Sequence, residues 1–209
     1  MKKLTSIVVA DKPVPSVVAG AVVVLEKGAN IAIEDTINSI GCGIEWDEVT
    51  TGVGFDADVS CLLVDNDGPN ELVYYGNLKS KTDAVLHTGD NLTGADDAIS
   101  GVAVNEDDET IFVQLTDLPD SVDKVIFFVN IHDAASKGQN FGTSGAMQAR
   151  LYDIDTGNVF MTADLMEDNA TQTSMVVGEF YRRNGSWKYK NMAQGGKQTI
   201  QDFTSSYEA

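Results

Sequence analysis

Two aspartates, Asp56 and Asp58, stand two residues apart at the start of a predicted β-strand. Because alternate residues of a strand point to the same face, we expect both carboxylates on one side and Phe55, Ala57 and Val59 on the other. Like charges this close destabilise a sheet unless a positive charge lies between them. The spacing therefore indicates a binding site for a cation.

Two further segments of the chain are rich in oxygen donors. The turn at 87–91 contains a glycine and offers Asp90 and Asn91, and the segment at 106–109 has four consecutive carboxylates, including Asp107, Asp108 and Glu109. Calcium takes about six to eight oxygen ligands from carboxylates, carbonyls and water, and it tolerates irregular loops. The four consecutive acids alone are typical of a solvated loop, but the three clusters together predict a calcium site if the fold brings them into contact.

The residue pattern gives little support to catalysis. The only histidines are His87, which we expect to order the acidic turn, and His132, which we expect to fix a strand end. Cys42 and Cys61 lack the spacing of zinc ligands and are predicted to be buried thiols. The segment 142–145 is not a nucleophile elbow, and dinucleotide-binding and P-loop motifs are absent from the sequence. We predict that the protein is not an enzyme.

The net charge excludes several classes of partner. The 209 residues include 32 Asp and Glu against 14 Lys and Arg, which gives a formal net charge of −18. Such a surface repels phosphates, so nucleic acid is not expected as a partner, and the tellurite anion finds no basic pocket.

Only seven uncharged residues follow Lys3, and these are too few for a membrane span. We therefore expect a cytoplasmic protein without a transmembrane segment.

Short β-branched runs alternate with turn signals along the chain, which is typical of an all-β sandwich or barrel. Asn184-Gly185 predicts a hairpin turn, and a short helix is expected near 198–203. The predicted strands are Ile31–Ile33, Gly41–Trp46, Ala57–Val64, Leu72–Tyr75, Ile111–Leu115, Lys124–Ile131, Met147–Tyr152, Val159–Leu165, Met175–Tyr181 and Trp187–Tyr189.

The first 21 residues form an apolar extension that precedes a single domain at residues 22–209. Pro13 and Pro15 favour an edge strand, a loose tail or an arm over a central strand. An arm of this kind could add a strand to a neighbouring subunit. It supports an alternative function, in which the protein self-associates as a structural subunit of a filament, a phage particle or a membrane-associated complex.

Several motifs also occur, in the same order, in a known family. The chain resembles the TerD-type tellurium-resistance and stress proteins over about residues 22–196. The matching stretches are Leu25–Gly28, Phe55–Ser60, Tyr75–Ser80, His87–Gly94, Asp107–Glu109, Ile131–Ala134, Gly138–Gly142, Gly178–Arg182 and Asn184–Trp187. The resemblance implies a β-sandwich of two mainly antiparallel sheets with long acidic loops, calcium binding without catalysis, and a role in the response to toxic agents through protein partners. The ligands that it implies, together with Asn91 from the turn, are Asp56, Asp58, Asn77, Asp90, Asp107, Asp108 and Glu109.

The chain departs from the family pattern in its oxygen donors. Gly54 stands where the family usually has an acid, and Gly76 stands where it usually has an asparagine. The link after the 87–91 turn is also different, and here it carries Asp96 and Asp97. We therefore expect one or two calcium ions, with one site weakened or compensated by Asp96 or Asp97.

Overall fold

A computed structural model describes residues 25–47, 54–90 and 107–208 of the chain. The predictions for the extension at 1–21, for Asn91 and for Asp96 and Asp97 lie outside these residues. The strands within the described ranges are β1 (Asn30–Ala32), β2 (Ser39–Trp46), β3 (Ala57–Asp65), β4 (Gly68–Val73), β5 (Val85–His87), β6 (Glu109–Gln114), β7 (Val122–Ile131), β8 (Met147–Asp153), β9 (Val159–Asp164), β10 (Ser174–Arg183) and β11 (Ser186–Gly196).

These strands form two antiparallel sheets. The larger has six strands in the order β1-β11-β10-β7-β3-β4, and the smaller has five in the order β5-β6-β2-β8-β9. The described helices are α1 (Ala134–Lys137), α2 (Ile200–Ser205) and a short 3₁₀ helix (Phe141–Thr143). None of the helices in the described residues is both long and apolar enough to span a membrane.

Alternation of apolar residues builds the core between the sheets. On β3, Ala57, Val59, Cys61 and Leu63 point inward and are almost fully buried, as are Cys42 and its neighbours on β2. Both cysteines are free and buried, as expected. The two-sheet β-sandwich predicted from the sequence is confirmed.

The outer face of the six-stranded sheet carries a second apolar cluster. It contains alternate residues of the central strands, such as Leu62 and Phe128, and it is closed by Phe203 of α2. The rings of Phe203 and Phe128 stack with centroids 4.2 Å apart. The expected helix near 198–203 is therefore present, and it covers one part of this face.

Most strand predictions agree with the structure, with three exceptions. The strand predicted at 187–189 extends over Ser186–Gly196. The strand predicted at 72–75 instead occupies Gly68–Val73, and it includes Pro69 because β4 is an edge strand, where a missing N–H is tolerated. The three-residue strand β5 was not predicted. The hairpin turn is confirmed, with Asn184 and Gly185 both at positive φ, as a type I′ turn requires.

Candidate metal centre

Asp56 and Asp58 lie at the beginning of β3 and are both buried, with residue exposures of 7% and 1%. Asp58 is separated from Leu62 by an even number of positions on the same strand, so both side chains face the outer side of the sheet. Phe55 and Val59 instead pack in the core. The backbone N–H and carbonyl of Val59 point away from β7, toward the side of β3 on which β4 pairs. Because the pairing with β4 begins only at Cys61, no strand of the described residues occupies that side at Val59. The start of β3 is thus an open edge, available to side chains from the other sheet.

His87 and Glu109 occupy this edge. The Glu109 carboxylate accepts a hydrogen bond from the Val59 N–H at 3.0 Å, and His87 Nε2 lies 3.2 Å from the Val59 carbonyl and 3.4 Å from Glu109. Since Gly89 N–H donates to His87 Nδ1, the ring proton belongs on Nε2, which therefore acts as the donor. As we expected, His87 orders the turn that follows it.

The ordered turn places Asp90 beside the start of β3. Thr88 and Thr110 exchange hydrogen bonds that fasten the turn to β6. One oxygen from each of Asp56, Asp58 and Asp90 lies within 4.8 Å of the other two. We call these three residues the carboxylate triad. Two separate segments of the chain thus supply a group of oxygens spaced as cation ligands would be.

The electrostatics of the triad favour a bound cation. Burial, together with the charges of Glu109, Asp56 and Asp90, raises the pKa of Asp58 to about 8, although a hydrogen bond from Asn130 opposes this shift. Burial also raises the pKa of Asp56 to about 6, although Lys137 opposes this shift. In addition, Asp56 Oδ1 is buried and has no hydrogen-bond partner among the described residues. A carboxylate oxygen that has lost its water and gained no donor is a costly feature that a cation would relieve.

The three consecutive acids at 107–109 point in different directions. Asp107 lies on the outer face of the five-stranded sheet, where its carboxylate occupies the space beside Gly43 and accepts a 2.7 Å hydrogen bond from Arg150 Nε. Asp108 accepts a hydrogen bond from the Trp46 N–H at 2.9 Å. Glu109 is fully buried at the edge described above. All three residues lie outside the group of carboxylate oxygens that are within 4.8 Å of one another.

Asn77 closes a turn next to the triad. Its amide donates to the Leu72 carbonyl at 2.7 Å, and its backbone exchanges hydrogen bonds with Tyr74 at 2.8 and 3.1 Å. This turn places Tyr75 beside the triad, where burial, and then the charge of Asp58, raise the pKa of its hydroxyl. Tyr75 was not predicted as a site residue, although it begins the stretch Tyr75–Ser80 that matches the family pattern.

Three more residues around the triad were not predicted as part of the site. Asn130 donates to Asp58 at 3.0 Å, His132 Nδ1 lies 3.9 Å from Asp58, and Lys137 Nζ lies 4.0 Å from Asp56. All three belong to β7 or the segment that follows it. The sequence feature that marks this region is the apolar run ending at 131. It forms β7, which pairs with β3 and so brings the residues at its end close to the triad.

Comparison with known proteins places this architecture among characterised relatives. The TerD domain family model matches residues 22–207. The chain is 37% identical over 179 residues to tellurium resistance protein TerD of Serratia marcescens, covering 82% of this chain and 89% of that protein. It is 34% identical over 180 residues to general stress protein 16U of Bacillus subtilis (strain 168), with the same coverage.

A solved structure also resembles the sandwich. The crystal structure of a homologue of telluride resistance protein (TerD) from Streptomyces coelicolor A3(2) superposes with a TM-score of 0.69, at 18% identity, over 80% of this chain and 95% of that one. That likeness concerns the fold. The sequence matches extend over most of the chain, and they show that this protein belongs to the TerD domain family.

Proposed function

We propose that this protein binds calcium non-catalytically at the carboxylate triad, and that the bound ion orders a surface for protein partners in a stress response. The observation that carries the proposal is the convergence of three carboxylates, two of them buried, with one oxygen that has no hydrogen-bond partner in the described part of the chain. The stress role rests on similarity to proteins named for tellurium resistance and general stress.

The donor set favours calcium over smaller or softer ions. All three triad groups are carboxylates, and they come from a strand start and an irregular turn. Magnesium demands a nearly ideal octahedron and keeps much of its water, whereas calcium accepts an irregular shell completed by carbonyls and water. We propose one ion at the triad, held between the β3 edge and the 87–90 turn.

Calcium should raise the melting temperature of metal-free protein, and magnesium should raise it much less. At a hundredfold excess over Kd, binding to the native state adds about 2.7 kcal/mol, or roughly 5–10 °C for a chain of this size. The double variant Asp56→Asn, Asp58→Asn should lose most of this rise, whereas the exposed-site control Asp117→Asn should keep it. Differential scanning calorimetry measures both. A flat calcium titration, or a full response in the double variant, would overturn the proposal.

Restoring the acid at position 54 should strengthen calcium binding. Gly54 lies two residues before Asp56, and a Cβ placed there meets no atom of the described residues within 4 Å, whereas one at Gly76 would come within 2.7 Å of Tyr74. Ligand charge tunes calcium affinity, so Gly54→Asp should lower Kd by roughly tenfold. Isothermal titration calorimetry should compare it with Gly54→Ala, which changes the backbone equally. An affinity no better than that of Gly54→Ala would show that position 54 is out of reach.

A further inference from the structure

A cleft of about 350 Å³ lies on the outer face of the six-stranded sheet, beside the triad. Its walls come from Tyr75, from the end of β7 with α1, and from the segment at 197–200 between β11 and α2. This volume is at the lower end of the range for small-molecule sites. Neither the calcium proposal nor the family comparison accounts for the cleft.

The polar groups of the cleft are held in place before any ligand binds. Asn130 is fixed by its hydrogen bond to Asp58 at 3.0 Å, and the Gln198 N–H donates to the Ser174 hydroxyl at 2.9 Å. The Thr199 hydroxyl caps α2 and also bonds to Asp202. Such preorganisation lowers the entropy lost when a ligand is ordered in the cleft.

The lining carries charges of both signs, on either side of β10. Asp133 follows β7 and Lys197 follows β11, and β10 lies between these two strands. Two strand spacings therefore separate the backbones, about 10 Å. Both side chains are exposed. The Asp133 carboxylate lies 3.6 Å from His132 Nε2, and Lys197 makes no ion pair within the described part of the chain. A ligand could thus contact a cation and an anion at the same time.

The charges also restrict the ligand class. A net charge of −18 disfavours an anion, and a simple cation would leave Lys197 without a partner. A zwitterion satisfies both groups and has no net charge to be repelled. We propose that the cleft binds a free amino acid or short peptide, with the carboxylate on Lys197 and the ammonium on Asp133. Tyr75 and Ile200 then flank its carbon skeleton.

The test uses the full chain and L-alanyl-L-alanine as the probe, with acetate and ethylamine as single-charge controls. We expect saturable binding of the dipeptide by calorimetry, and binding weaker by about tenfold or more for either control compound. Lys197→Met and Asp133→Asn should each weaken dipeptide binding by about tenfold or more. Asparagine tolerates the positive φ of Asp133, so the fold should be kept.

Matched controls on remote exposed sites are Lys81→Met and Asp117→Asn, which should leave the dipeptide affinity unchanged. Each titration is repeated with and without calcium, so that failure of the calcium proposal does not decide this one. Absence of saturable dipeptide binding in both conditions would overturn the inference. So would acetate or ethylamine binding as tightly as the dipeptide, or affinities unaffected by the Lys197 and Asp133 variants.

Discussion

Without divalent cations, this protein should lose stability as the pH rises from 5 to 8. Asp58 has a folded-state pKa of about 8 and Asp56 of about 6, both above the ordinary value of 3.8. Between pH 4 and these values, the folded chain holds protons that the unfolded chain has released. Stability therefore falls with pH, by up to about 1.4 kcal/mol per pH unit for each such proton. The contribution of Asp56 is lost by about pH 6, and that of Asp58 by about pH 8.

Saturating calcium should remove this fall. The ion binds the ionised carboxylates, so it displaces the same protons and its apparent affinity rises with pH. Urea unfolding at intervals from pH 5 to 9, in buffer freed of divalent ions and again with calcium, measures the effect. Asp58→Asn keeps an acceptor for Asn130 and removes the main titrating group, so it should flatten the metal-free curve. Metal-free stability that is level or rising between pH 5 and 8 would contradict the burial of charge in the triad.

Phe203→Ala should destabilise the protein by about 3–5 kcal/mol, which corresponds to a fall in melting temperature of roughly 6–20 °C. Phe203 is 1% exposed and stacks on Phe128, so its removal opens a cavity between α2 and the outer face of the sheet. The exposed Ser205→Ala in the same helix is the matched control and should change stability little. Thermal and urea unfolding measure both variants.

The Phe203 variant also separates the scaffold from the site. The triad is held by the β3 edge, by the 87–90 turn and by Glu109, none of which belongs to the cluster around Phe203. Calcium should therefore raise the melting temperature of Phe203→Ala by as much as it does for the parent protein. A loss of less than about 1 kcal/mol would show that α2 does not close the sheet as described, and a lost calcium response would show that helix and triad are coupled.

Local patterns predicted most of the strands and the common side of Asp56 and Asp58. The reason is that strand periodicity and turn chemistry depend on only a few neighbouring residues, so they can be recognised from the sequence alone. The Asn184-Gly185 turn was predictable because a type I′ turn needs positive φ at both positions. By contrast, β5 was not predicted, and Pro69 fits β4 only because that strand lies at an edge.

Sheet order and register decided the rest of the site. Asp107, Asp108 and Glu109 are adjacent in sequence, yet Asp107 bonds to Arg150 on the outer face of the five-stranded sheet, whereas Glu109 bonds to Val59 of the other sheet. Strand alternation would place Asp107 and Glu109 on the same face, but Asp107 lies before β6, which begins at Glu109. The approach of Asp90 to Asp56 and Asp58 depends on β4 ending early, which leaves the Val59 edge open for His87. The sequence by itself determined which residues alternate and where the chain turns. Only the tertiary structure decided which acids meet, because contacts between distant segments depend on how whole strands pair and pack.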